Sequence, residues 1–101
     1  MENNENNENS VFVGKKDTMT YVFSVQTQAN SQENIFIKAR GNAISKAVDV
    51  SQIAVYRFLK GWQVKNVKLG TEERPRQPRE GEENTNETQR VSFIEIEISK
   101  K

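Results

Sequence analysis

Cysteine and histidine are both absent from the 101 residues of this chain. Their absence removes thiol nucleophiles, imidazole general bases, disulfides and nearly every structural zinc site. No catalytic residue, no cofactor and no metal are expected. Apolar residues amount to only 34% of the chain. No apolar run approaches the roughly 20 residues that a membrane span needs, and no basic stretch followed by an apolar one opens the sequence. The expectation is a soluble, cytoplasmic protein without a membrane partner. Proline is scarce too, and both prolines, Pro75 and Pro78, fall in one polar segment.

What is present is unevenly distributed. Residues 1–10 (MENNENNENS) are rich in Asn and Glu and read as a disordered acidic tail. Residues 71–90 contain no hydrophobe at all. The remaining sequence holds nearly every apolar residue, enough for one small domain over residues 11–101. The formal charge of +1 conceals an asymmetry. Residues 11–70 carry nine Lys/Arg against Asp17, Glu33 and Asp49, a net +6. The tail and the 71–88 segment each carry −3. The body is therefore basic, and the body is what a polyanion would meet.

Short apolar runs alternate with helical patterns. Val11-Phe12-Val13 reads as a buried strand ending at Gly14. Asp17 or Thr18 can cap a helix whose apolar positions are Met19, Val22, Phe23, Val25 and Ala29. Ile35-Phe36-Ile37 reads as a second strand with Lys38 at its exit. From Gly41 to about Leu59 the stripe Ile44, Ala47, Val48, Val55, Phe58 and Leu59 predicts a long helix stopped by Gly61. Trp62 to Leu69 is a third strand. Trp62 and Val64 fall on one parity and Val67 and Leu69 on the other, which implies a bulge or a second packing partner. Val91 to Ile98 is a fourth strand with Ile94, Ile96 and Ile98 inward and Glu95 and Glu97 outward.

Pro75, Pro78 and Gly81 exclude a central strand or helix from 71–90, which reads as a long hairpin arm. The expected fold is a small two-layer α/β (α+β) domain in the order β-α-β-α-β-β. It has a four-stranded mixed sheet, two helices on one face and an extended β-hairpin arm.

Two strand-to-helix junctions stand out. Gly14-Lys15-Lys16 leaves the first strand, and Lys38-Ala39-Arg40-Gly41-Asn42 leaves the second. If those strands are parallel neighbours, both junctions share one rim, the edge where ligands gather in open α/β sheets. Glycines there allow close backbone approach, and helix N-termini favour phosphate. The alternative for Lys15-Lys16 alone is a solvated turn. Arg74, Arg76 and Arg79 alternate with proline and glutamine, as a stiff basic arm reaching a narrow groove would, or as a solvated loop neutralised by its glutamates. Arg90 at the arm's exit is a comparable candidate. Tyr21 reads as a boundary residue of the first helix rather than a base-stacking group. Glu95 and Glu97 occupy the polar parity of a strand, and Glu82 and Glu83 lie in the arm, so neither pair suggests acid–base catalysis.

GKK, YVFSVQTQ, IFIKARGNAISKAVDVSQIAVYRFL and the VSFIEIEISKK terminus resemble the Alba family of archaeal chromatin proteins. The resemblance covers roughly residues 11–70 and 89–101. It implies a homodimer, or a heterodimer with an Alba paralogue, that coats and compacts double-stranded DNA in the nucleoid and also binds RNA. It implies nucleic-acid contacts at Lys15, Lys16, Arg40, Asn42 and Lys46, with Lys15 a possible acetylation position. It further implies that hairpin arms reach the minor groove, and that Arg57 and Phe58 join neighbouring dimers. Three positions depart from the family pattern. Asp17 stands where proline is common, Asn42 where arginine is common, and the arm is longer and more acidic than usual.

Overall fold

The structure, a computed structural model, describes residues 9–76, 81 and 87–101. The expected tail, apart from Asn9 and Ser10, lies outside those residues. So do Arg79, Glu82 and Glu83. The elements are β1 (Ser10–Phe12), α1 (Thr18–Ala29), β2 (Asn34–Arg40), α2 (Ile44–Ile53), β3 (Trp62–Pro75) and β4 (Thr88–Lys100). A 3₁₀ turn, Gly41–Ala43, leads into α2, and a π-helical turn, Ala54–Phe58, leads out of it.

The sheet order is β1-β2-β4-β3. β1 runs parallel to β2, while β4 is antiparallel to both β2 and β3. Alternation in the sequence becomes two chemically distinct faces. Val11, Val13, Ile35, Ile37, Ala39, Ile94, Ile96 and Ile98 point to the helices and are buried. Phe12, Lys38, Arg40, Phe93 and Glu95 lie on the other, open face. Glu95 is tied there to Lys38 at 3.5 Å, and Glu97 accepts a hydrogen bond from Asn34 at 3.2 Å.

The bulge expected in β3 is present. Val64 pairs with Ile98 and Asn66 with Glu97, so Lys65 is the extra residue. It brings Val64, Val67 and Leu69 onto the same face as Ile98, Ile96 and Ile94. The helices do not reach that far, and the three side chains remain exposed.

The helix stripes differ in detail from the expectation. In α1, Tyr21, Val22 and Val25 are buried, whereas Met19 and Phe23 are exposed. In the second helical segment Ala47, Val50, Ser51, Ala54 and Leu59 face inward, and Val48 and Phe58 do not. The inner stripe is built of small residues because α2 packs both on the sheet and against α1. Ser51 can be buried there because its hydroxyl donates to the Val48 carbonyl at 2.8 Å.

The last turn widens because the Leu59 N–H bonds back to the Ala54 carbonyl, five residues earlier, at 2.8 Å. Gly61 at φ +83° then reverses the chain into β3. The last two strands are longer than their apolar cores. Their ladder continues to the Pro75–Thr88 pair, into the segment that has no hydrophobes. Pro75 is tolerated at the end of an edge strand.

Candidate nucleic-acid interface

Parallel pairing of β1 and β2 brings the two basic junctions side by side. Phe12 is in register with Lys38, and the Val13 N–H donates to the Lys38 carbonyl at 2.8 Å. The chain therefore leaves both strands at one rim. Lys15, Arg40, Asn42 and Lys46 line one groove there. Lys16 joins them through its backbone. Four of the expected contact residues thus line one groove, and the backbone of Lys16 borders it.

The Gly14–Lys16 loop is shaped by two side chains. Tyr21, one turn into α1, accepts hydrogen bonds on its phenol oxygen from the Gly14 N–H at 2.9 Å and the Lys16 N–H at 3.0 Å. Lys46, near the start of α2, donates from Nζ to the Gly14 carbonyl at 3.0 Å and to the Lys16 carbonyl at 2.6 Å. The two residues clamp the loop through its donors and its acceptors. Lys15 and Lys16 are left exposed, with no ion pair among the described residues.

The Lys16 N–H is the largest cause holding the Tyr21 phenol below its ordinary value of 10.0. Burial opposes it, and the Gly14 N–H and the Lys46 and Lys16 charges reinforce it. Tyr21 is therefore more than a boundary residue. Its legible signal was an aromatic with a polar tip one helical turn after a glycine-containing junction.

Lys46 is positioned differently from Lys15 and Lys16, since its ammonium is already engaged by two carbonyls. Arg40 is exposed but engaged as well. Its Nε lies 3.6 Å from Glu72 Oε1, and Arg74 Nε approaches the same oxygen at 3.3 Å. Glu72 stands at the root of the arm, so the arm is electrostatically tethered to the rim. Farther out, Arg76 pairs with Glu87 across the ladder at 3.0 Å. Arg90 lies opposite Glu73 in register, on the face of the arm away from Arg74. Arg76 and Arg90 therefore lie out along the arm, while Arg74 meets the rim through Glu72.

Arg57 and Phe58 lie in the π-helical turn, away from the rim. Phe58 meets Phe23 edge-to-face, with ring centroids 6.3 Å apart and planes at 73°. Both rings are exposed, so they form a two-residue apolar patch on the helical layer. Phe23 went unrecognised in that role because its spacing fits a core position equally well.

The two-layer α+β domain thus presents exposed cations, Lys15 and Lys16, on a clamped loop at one rim. The Alba family profile matches residues 9–71. DNA/RNA-binding protein Alba 1 of Archaeoglobus fulgidus is 47% identical over 95 residues, covering 93% of this chain and 98% of that protein. DNA/RNA-binding protein Alba of Thermoplasma acidophilum is 46% identical over 94 residues, covering 92% and 97%. The solved structure of Alba from Thermoplasma volcanium superposes with a TM-score of 0.76 at 43% identity, covering 91% of this chain and 100% of that one. The chain belongs to the Alba family.

Proposed function

We propose that this chain binds nucleic acid through the phosphate backbone, with duplex DNA its main ligand, and that as a dimer it coats and compacts the chromosome in the nucleoid of the cytoplasm. One observation carries the reading: Lys15 and Lys16, in the loop after β1, and Arg40, at the end of β2, follow parallel neighbouring strands to one rim. Phosphate contacts of this kind position a protein without reading bases, so sequence preference is weak. The relatives' names, DNA/RNA-binding protein, agree with it.

Dimerisation is supported by the strip of Val64, Val67 and Leu69 beside Tyr56. Leu69 is 73% exposed and Tyr56 79% exposed, more than a monomer of this size usually leaves in one neighbourhood. A second copy of the chain, or a paralogue, covers that flank. Acetylation would act most directly at Lys15, whose ammonium is free for phosphate and would lose its charge.

The test is a salt series of gel shifts on duplex DNA. With about six to eight phosphate contacts per dimer, affinity falls about a thousandfold or more between 50 and 200 mM salt. The Lys15→Ala, Lys16→Ala, Arg40→Ala variant flattens that dependence. An unchanged slope sinks the reading. Because relatives carry both DNA and RNA in their names, competition between duplex DNA and structured RNA at one salt concentration decides the order of preference.

A further inference from the structure

The open face of the sheet carries three phenylalanines, Phe12, Phe36 and Phe93, and two of them, Phe12 and Phe93, line a groove there. Phe12, on edge strand β1, is 60% exposed, and its ring lies 5.5 Å from the Lys38 ammonium. Phe93, on β4, is half-buried because its ring lies over Gly70 of the neighbouring strand. A Cβ added at Gly70 would sit 2.9 Å from the ring, so the missing side chain makes room for it. The strands place the two rings on one surface with β2 between them; Phe12 is level with Lys38 and Glu95, and Phe93 lies two residues further along β4, which sets their Cα atoms about 12 Å apart. They line one groove of about 820 Å³ that opens onto the rim at Lys15 and Asn42.

The charges in that groove favour an anion. Lys15, Lys38, Arg40 and Lys68 face it, against Glu72 and Glu95. Glu95 is held by Lys38 at 3.5 Å and Glu72 by Arg40 at 3.6 Å. Lys15 and Lys68 have no ion pair among the described residues. An aromatic floor with surplus cations has no use for a duplex, whose bases are stacked on one another. A single strand offers both phosphates and free base faces.

We propose that the aromatic floor of this groove extends the rim into a site for single-stranded segments, stacking bases on Phe12 and Phe93 and holding phosphates with Lys15, Arg40 and Lys68. The proposal rests on the nucleic-acid reading above and shares Lys15 and Arg40 with the rim, but the aromatic floor is its own, so variants at Phe12 and at the rim lysines let the two fail separately.

The test uses the full chain and fluorescence anisotropy with labelled oligouridylate, oligothymidylate and a blunt DNA duplex at one salt concentration. Phe12→Ala should weaken single-strand binding about fivefold to a hundredfold and leave duplex binding unchanged. Phe12→Tyr, which keeps a ring, should restore it. Far-ultraviolet circular dichroism of Phe12→Ala should match the parent, since the side chain is largely in solvent. Binding of either oligonucleotide supports the site, and the tighter one identifies its source. The proposal is overturned if the parent chain binds neither oligonucleotide, if Phe12→Ala leaves single-strand affinity intact, or if it weakens single strand and duplex alike. If Lys15→Ala, Lys16→Ala spares duplex binding while the Phe12 effect persists, the rim reading fails and the groove stands.

Discussion

Replacing Lys46 by methionine removes an ammonium and keeps most of its apolar stem, which separates two roles for this residue. In the structure its Nζ donates to the Gly14 carbonyl at 3.0 Å and the Lys16 carbonyl at 2.6 Å. A hydrogen bond to a charged group contributes about 1.5–3 kcal/mol net. Both carbonyls sit in a loop that water can reach, so water partly replaces the lost donor. The pair together is then worth about 2 kcal/mol. In a domain of this size each kcal/mol moves Tm by about 4–8 °C, so Lys46→Met should melt about 8–16 °C lower. It should also weaken duplex binding at fixed salt, because Lys15 and Lys16 lose their preset loop. The slope of log K against log salt should nevertheless stay as it was. A phosphate contact contributes about 0.9 to that slope, so a Lys46 that touched DNA would take about 1.8 from a dimer. Thermal melts and a salt series on the same variant measure both quantities. An unchanged Tm with a slope smaller by about 1.8 would refute the clamp.

Four further outcomes are expected. Lys15→Gln, Lys16→Gln should lower the salt slope by about 3.6 per dimer in gel shifts, and an unchanged affinity would count against control by acetylation. The folded chain lowers the Tyr21 pKa below 10.0, so ionisation favours the fold only as pH rises through the lowered value; below it both states are neutral and the gain vanishes. In urea unfolding, the stability difference between the parent and Tyr21→Phe should therefore widen in alkaline solution. Gly61→Ala meets no atom within 4 Å but must hold φ +83°, so backbone strain alone should cost about 1–2 kcal/mol, read as a lower urea midpoint at constant m. Leu69→Asp, at a 73% exposed position, should leave circular dichroism unchanged and turn the proposed dimer into a monomer in sedimentation velocity.

The fold was legible wherever one physical period dominated. Ile94, Ile96 and Ile98 alternate with Glu95 and Glu97, and only a strand buries the first set while exposing the second. The parity change after Val64 could be read as a bulge because a single extra residue is the smallest event that reunites Val64 with Val67 and Leu69. Helix faces were less legible. Met19, Phe23, Val48 and Phe58 fit an inward stripe by spacing but lie outside it. Where a helix packs closely on a sheet and on another helix, Ala47, Ser51 and Ala54 are the residues that fit, and hydrophobicity alone ranks them below the valine and phenylalanine beside them. The arm was legible as a hairpin from its prolines and glycine, but how far its ladder runs was not, because residues 71–75 and 88–90 contain no hydrophobe. Backbone pairing can continue beyond the core without apolar side chains, since each strand supplies the other's hydrogen bonds.

The site divides along a similar line. Convergence of Lys15, Lys16 and Arg40 needed only the inference that β1 and β2 are parallel, and the short strand–helix–strand order implies that. What charge counting could not separate were cations facing solvent from cations already engaged. Lys15, Lys46 and Arg40 look alike as letters. In the fold, Lys15 is exposed without an ion pair, Lys46 binds two carbonyls, and Arg40 shares Glu72 with Arg74. Each engagement depends on a residue distant in sequence, and such distances are set only when the sheet closes. The same closure sets Glu72 beside Arg40, so a phosphate brought to Arg40 meets a carboxylate at the root of the arm. The charge beside Arg40 is therefore one that no local pattern in the sequence assigns to it.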